Sequence, residues 1–162
     1  MHDNRNTDIL GLIGFVILCL SVSGIGGAVT TTSVSTWYPT LVKPWFNPPD
    51  WVFAPVWTTL YVLMAVSAWR VWRLRGHSNI QRAMKWFAIQ LILNLIWSFL
   101  FFGFQRVDWA LYEIIILLPA IFVTAHKFWK HDRLAGALFV PYLLWASFAT
   151  VLNGAIWLLN GF

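Results

Sequence analysis

The sequence predicts an all-α integral membrane protein, a bundle of five transmembrane helices. Three observations carry this. Hydrophobic residues fill 59% of the 162 positions and charged residues only 10%, whereas a soluble domain carries charge on roughly a quarter of its positions. The charges are bunched, and the stretches between them approach the ~20 apolar residues that a spanning helix needs. Twelve residues are tryptophan, a side chain that gathers at membrane interfaces and lines apolar sites with one N–H to spend. Together these exclude a soluble enzyme, a disordered chain and a nucleic-acid-binding module. The excess of 11 Lys and Arg over 6 Asp and Glu is read as the basic-loop bias of a membrane protein.

The first span falls at about residues 9–29, because no charge occurs between Asp8 and Lys43. Asp3 and Asp8 beside Arg5, and an apolar run longer than a leader's, argue against a cleaved signal peptide. Cys19, the lone cysteine, reads as a small hydrophobe. Ser21, Gly24 and Ala28 form a small-residue face, suited equally to a close neighbour helix and to space for a ligand.

Residues 30–50 read as a loop. Pro39, Pro44, Pro48 and Pro49 fix φ and remove backbone donors, so the segment is stiff. Trp37, Tyr38, Trp45 and Phe46 fit an interfacial aromatic belt better than a lid over a cavity, on spacing alone. Asp50 is placed to cap the second span, about 51–69, with Pro55 tolerated near its first turn.

Polar residues inside spans tend to face the bundle or a cavity. In the second span Trp57, Tyr61 and Met64 share a face. In the third, about 86–105, Trp86, Gln90, Asn94 and Trp97 form an aromatic–amide–amide–aromatic stripe. The fourth, about 109–125, contains Glu113, a turn from Trp109 and read as lying near the headgroups, and Pro119. The fifth, about 134–160, contains Pro141, placed to bend or start a helix, and aligns Tyr142, Trp145, Ala149 and Asn153. Singly, each amide reads as interhelical glue; three aromatic–polar stripes plus the loop point to a pocket for a flat, mostly apolar ligand. Short connections and the lack of any repeat or linker make residues 1–162 one domain.

The segments 70–85 and 126–133 hold eight of the basic residues against one acid, Asp132. With five spans they share a side with the N-terminus, which is cytoplasmic if this is an inner membrane. His2, His77, His126 and His131 lie outside the expected spans, so no metal or haem ligand is expected, and no cofactor. No phosphate loop, acid pair or nucleophile–base spacing stands out.

The chain resembles the TspO/MBR family of tryptophan-rich sensory and translocator proteins. The likeness is carried by Trp37-Tyr38, Lys43-Pro44-Trp45, Pro48-Pro49, Trp57-Thr58 and Tyr61. It continues through Gln90-Leu91, Asn94, Trp97 and Phe101-Phe102-Gly103. It ends with Pro141-Tyr142-Leu143, Trp145, Phe148-Ala149-Thr150 and Leu152-Asn153. The resemblance implies a five-helix bundle, often a homodimer, whose pocket opens toward the first loop and binds porphyrins such as protoporphyrin IX and benzodiazepine-type ligands. The family's pocket positions fall here on Tyr38, Pro48, Trp57, Asn94, Trp97, Trp145 and Ala149. The stretch Ala149–Asn160 has neither the Tyr nor the Arg of the animal members' cholesterol-recognition motif. High-affinity cholesterol binding is therefore doubtful, and a bacterial source, with the protein in an inner or outer membrane, is more plausible.

The expected function is a membrane sensor or transporter binding tetrapyrroles through Tyr38, Pro48, Trp57, Tyr61, Gln90, Asn94, Trp97, Tyr142, Trp145 and Ala149. The alternative implied by the resemblance is a light-dependent porphyrin-degrading enzyme using Trp57 and Trp145. The orientation is directly testable. A C-terminal fusion to a reporter that works only outside the cytoplasm is expected to be active; activity of a cytoplasm-only reporter in its place contradicts the assignment.

Overall fold

The computed structural model describes residues 2–76 and 79–162, with side chains from Asn6 onward. The described residues form helices α1 (His2–Thr36), α2 (Phe53–Trp72), α3 (Ile80–Ser98), α4 (Val107–His131), α5 (Arg133–Leu138) and α6 (Val140–Asn160). Five spans are long and apolar enough to cross a bilayer, the fifth being α5 and α6 together. His77, assigned above to a basic loop, lies outside the described residues.

Every span outruns its expected limits at one end or both, for local reasons. α1 continues through the Thr-rich segment to Thr36, so the loop is shorter than residues 30–50. The hydroxyls of Thr30 and Thr31 donate to the carbonyls of Gly26 and Gly27 at 2.8 Å, and Thr36 to Thr32 at 2.6 Å. Polar side chains satisfied one turn back are compatible with a helix in lipid. Pro39 then allows only a short 3-10 turn, Tyr38–Thr40. At the basic end, α3 takes in Arg82 and Lys85, and α4 runs on through His126 and His131. Charges end the apolar stretch but not the helix, because they sit on turns that project beyond it. The basic "loops" are therefore largely helical.

Asp50 does not cap α2. It starts a 3-10 turn, Asp50–Val52, and no side-chain cap bond forms. Pro55 lies in the first turn of α2, where its missing N–H costs little. Pro119 is accommodated inside α4, and Pro141 sits in the first turn of α6.

α1 packs mainly on α2, α3 on α4, and α4 on α6 and α5. Cys19 anchors α1 in the core. The basic end is tied by two carboxylates. Asp8 accepts from Arg73 and Arg75 at 3.1 Å each, while its carbonyl takes the Trp69 indole N–H at 2.7 Å. Asp132 accepts from Arg70 at 2.8 Å and caps α5 through the N–H groups of Leu134 and Ala135. Burial would raise the Asp132 carboxyl, but the Ala135 N–H and the Arg70 guanidinium outweigh it and hold it below the usual carboxylate range.

α5 approaches α4 closely enough that only glycine fits at position 136. A Cβ there would stand 2.6 Å from Cα and Cβ of Trp129, atoms that cannot swing away. Gly136→Ala is expected to destabilise the bundle by about 1–3 kcal/mol, read as a lowered Tm in detergent. Gly14→Ala, whose Cβ would meet nothing within 4 Å, should not.

Candidate functional site: an aromatic pocket beneath the first loop

The pocket forms at the end of the bundle opposite the basic segments. Its walls come from four places in the chain. Tyr38 descends from the loop, Phe53 and Trp57 from α2, and Trp97, Phe101 and Phe102 from the end of α3. α6 supplies Trp145, Phe148, Ala149, Leu152, Asn153 and Ile156. A π turn at Phe99–Gly103 makes the third wall possible. In a regular helix neighbouring residues diverge by about 100°. The extra residue in the turn lets Phe101 and Phe102 both face inward, at 3% and 4% exposure. Trp97 stacks on Phe101 with centroids 5.2 Å apart. The turn is tied to α1 by the Ser33 hydroxyl, which donates to the Phe102 carbonyl.

Hydrogen bonds hold the polar groups in fixed order. The Tyr61 hydroxyl donates to Asn94 Oδ1 at 2.5 Å, and Asn94 Nδ2 donates to the Tyr142 hydroxyl at 2.7 Å. One amide so joins α2, α3 and α6. Trp57 lies over this pair, 6.0 Å from the Tyr61 ring and 6.3 Å from that of Tyr142. Nearer the loop, the Trp97 indole N–H donates to Asn153 Oδ1 at 3.2 Å, while Asn153 Nδ2 donates to the Val107 carbonyl at 2.9 Å. That second bond fixes the amide's orientation and holds the start of α4.

The first loop closes the pocket. Tyr38 is 1% exposed, and its hydroxyl donates to Asn47 Oδ1. Burial, with Asp50 nearby, pushes this phenol above its ordinary range, so it stays a neutral donor. Lys43 Nζ donates to the Tyr38 carbonyl at 2.8 Å. Asn160 at the end of α6 grips Val42, taking its N–H and donating to its carbonyl, both at 2.9 Å. The loop thus acts as a lid. Tyr38 and Phe46 pack inward, and Trp45, 95% exposed, points out. The expected opening toward the first loop is shut here. The space left inside is about 20 Å³, room for about one water.

Of the expected site residues, Tyr38, Trp57, Trp97, Trp145 and Ala149 line the pocket, and Tyr61, Asn94 and Tyr142 lie beneath it. Pro48 does not line it. Its carbonyl accepts from Asn47 Nδ2 at 3.0 Å and so braces Tyr38's partner. Gln90 is fully buried away from the pocket, with Nε2 3.9 Å from Met64 Sδ and Oε1 unpartnered. Trp86 is half-buried outside the site, and Phe87 takes the inward position beside it. Phe53, Phe101, Phe102, Phe148, Leu152 and Ile156 were not expected. Phe101, Phe102, Phe148 and Leu152 belong to quoted family motifs, but an apolar residue carries no polar signal to mark it. Glu113 faces the bundle interior and not its surface. It is 8% exposed on the inward face of α4 shared with Ala110 and Leu117, and neither carboxyl oxygen has a partner among the described residues. Its spacing from those two residues was the signal, overridden by its charge.

This architecture defines a class: a five-span membrane protein with a tryptophan-walled pocket under a proline-rich lid. The sequence profile of the TspO/MBR family matches residues 15–158. A Tryptophan-rich protein TspO from Chlorobaculum tepidum is 42% identical over 156 residues, 96% of this chain and 99% of its own length. One from Archaeoglobus fulgidus is 40% identical over 153 residues, covering 94% and 99%. The Translocator protein of Sus scrofa is 33% identical over 154 residues, covering 91% and 89%. The chain belongs to the TspO/MBR family.

The Asn94 bridge generates a stability prediction. Interhelical hydrogen bonds in membranes contribute about 0.6 kcal/mol on average and at most about 1.7. Asn94→Leu removes two, so a loss of about 1–3 kcal/mol is expected in a reversible detergent-unfolding assay. Adding Tyr61→Phe to that variant should cost much less than Tyr61→Phe alone; simple additivity would mean that the bond is not energetically present.

Proposed function

We propose that this protein is a membrane receptor that binds a flat, largely apolar ligand of the tetrapyrrole class in the pocket under the first loop. One observation carries the reading. Trp57, Trp97 and Trp145 from three helices converge on one space, interleaved with neutral hydrogen-bonding groups. Aromatic faces stack on a conjugated macrocycle, and the Tyr38 hydroxyl and the Asn153 amide offer contacts to a polar edge. A pocket this closed must open to admit such a ligand, so binding displaces aromatic side chains. The names of the relatives, sensory and translocator proteins among them, agree with a receptor or carrier. Nothing beyond the two tryptophans themselves supports the light-driven degradation. The basic ends of α3 and α4 face the cytoplasm in this reading, placing the lid outside.

Titrating protoporphyrin IX against tryptophan fluorescence tests the proposal. Stacking of a flat heteroaromatic on one aromatic side chain contributes about 1–3 kcal/mol. Trp57→Ala and Trp145→Ala are each expected to raise Kd about 5- to 150-fold. Unchanged affinity in both single variants would sink the stacking site.

A further inference from the structure

A second cavity, of about 490 Å³, lies beside the central pocket between α1, α2 and the end of α3. Phe53, Trp57, Trp97 and Phe102 line both spaces. Only aromatic side chains stand between them. On the far side, α1 is anchored at Cys19 and again where Ser33 bonds Phe102. Between these anchors Gly24 and Gly27 border the cavity, and a Cβ at either would meet nothing within 4 Å. At these two glycines α1 offers no side chain to fill the gap, which Ser23, Thr30, Thr31, Val34 and Ser35 of α1 also border.

The loop and the α1–α2 side differ in what a ligand must break to reach the central pocket. Through the loop, a ligand must release Tyr38 from Asn47, Lys43 from the Tyr38 carbonyl, and Val42 from both bonds of Asn160. From the side, it must turn an aromatic ring. Sites for ligands of this size span about 300–1,000 Å³, so the 20 Å³ pocket has to lose a wall. Walls with empty volume behind them move with least displacement of protein: Trp145 and Phe148 back onto a space of about 570 Å³ between α2 and α6, but the α1–α2 cavity shares four rings with the pocket against those two. The Trp57 ring borders both spaces, so turning it toward the side cavity joins them.

Resting on the central pocket being the ligand site, we propose that the α1–α2 cleft is the antechamber through which a flat apolar ligand passes sideways from the bilayer, with Trp57 as the partition that turns aside. A portal sets rates and leaves the resting equilibrium alone, which separates it from a second resident site.

Stopped-flow quenching by protoporphyrin IX, with the protein in lipid nanodiscs, reads this out. The double variant Gly24→Leu/Gly27→Leu fills the cleft. It should slow association and dissociation together, about tenfold, with Kd held within about twofold. Gly14→Leu, at an open glycine outside the cleft, and Asn160→Ala, which frees the lid, should leave both rates unchanged. Should the double variant fold poorly, Gly27→Cys alkylated after folding with a bulky maleimide replaces it, since Cys19 is buried. An unchanged association rate in the filled cleft, or a faster one in Asn160→Ala, overturns the portal. So does a weakened Kd with two ligands per chain, which would make the cleft a resident site. Absence of saturable quenching in the wild type removes the central-pocket reading itself and the portal with it.

Discussion

Asn94 is the point on which the bundle's interior depends. A polar group in a bilayer has no water to fall back on, so each must find a partner within the protein. Asn94 uses its oxygen toward α2 and its nitrogen toward α6 while it stands on α3. An amide with one acceptor and one donor end accepts only one rotation of its neighbours about it. Three helices that would otherwise slide as greasy cylinders are given a register. That register brings Trp57 over the two tyrosines and Trp145 across from Trp97.

The rest of the site follows from that placement. Once α2, α3 and α6 are fixed, their lid-side ends leave a space filled mostly by rings, with Ala149, Leu152, Asn153 and Ile156 of α6 among them. The π turn resolves a crowding problem at the end of α3 by turning two successive phenylalanines inward. Asn153 repeats the logic of Asn94 one level up, tying α6 to Trp97 and to the start of α4. The lid is held by a similar economy of groups, with Asn160, Asn47 and Lys43 each spending polar atoms on loop backbone or on Tyr38. Among the described residues, the buried polar groups left without a partner are Glu113 and the Gln90 oxygen, and both lie outside the pocket.

Reading the chain by its charges located all five spans and misplaced their ends. Charge marks where apolar character stops, and helices continue past that point when side chains satisfy themselves locally, as Thr30, Thr31 and Thr36 do. It misled also at Glu113, where a single acid was weighed above its inward spacing, and at Asp50, where a capping residue type made no cap. Helical periodicity was more reliable. Gln90, Asn94 and Trp97 do share a buried face, and so do Tyr142 and Asn153. It erred by one position at Trp86, because the inward face at that height passes through Phe87.

The sequence by itself determined that the chain crosses a membrane five times, which side of the bundle is basic, and which residue types are available for a pocket. Those are properties of composition and period, and no partner element is needed to define them. Tertiary structure alone decided which tryptophans meet. It also decided that Tyr38 closes the pocket, that Pro48 acts through Asn47, and that glycines on α1 open a second space behind Trp57. The reason is that these depend on helix rotation and on a local change of helical period. Both are set by hydrogen bonds between residues as far apart as Tyr61 and Asn94, or Val42 and Asn160, which no local pattern records.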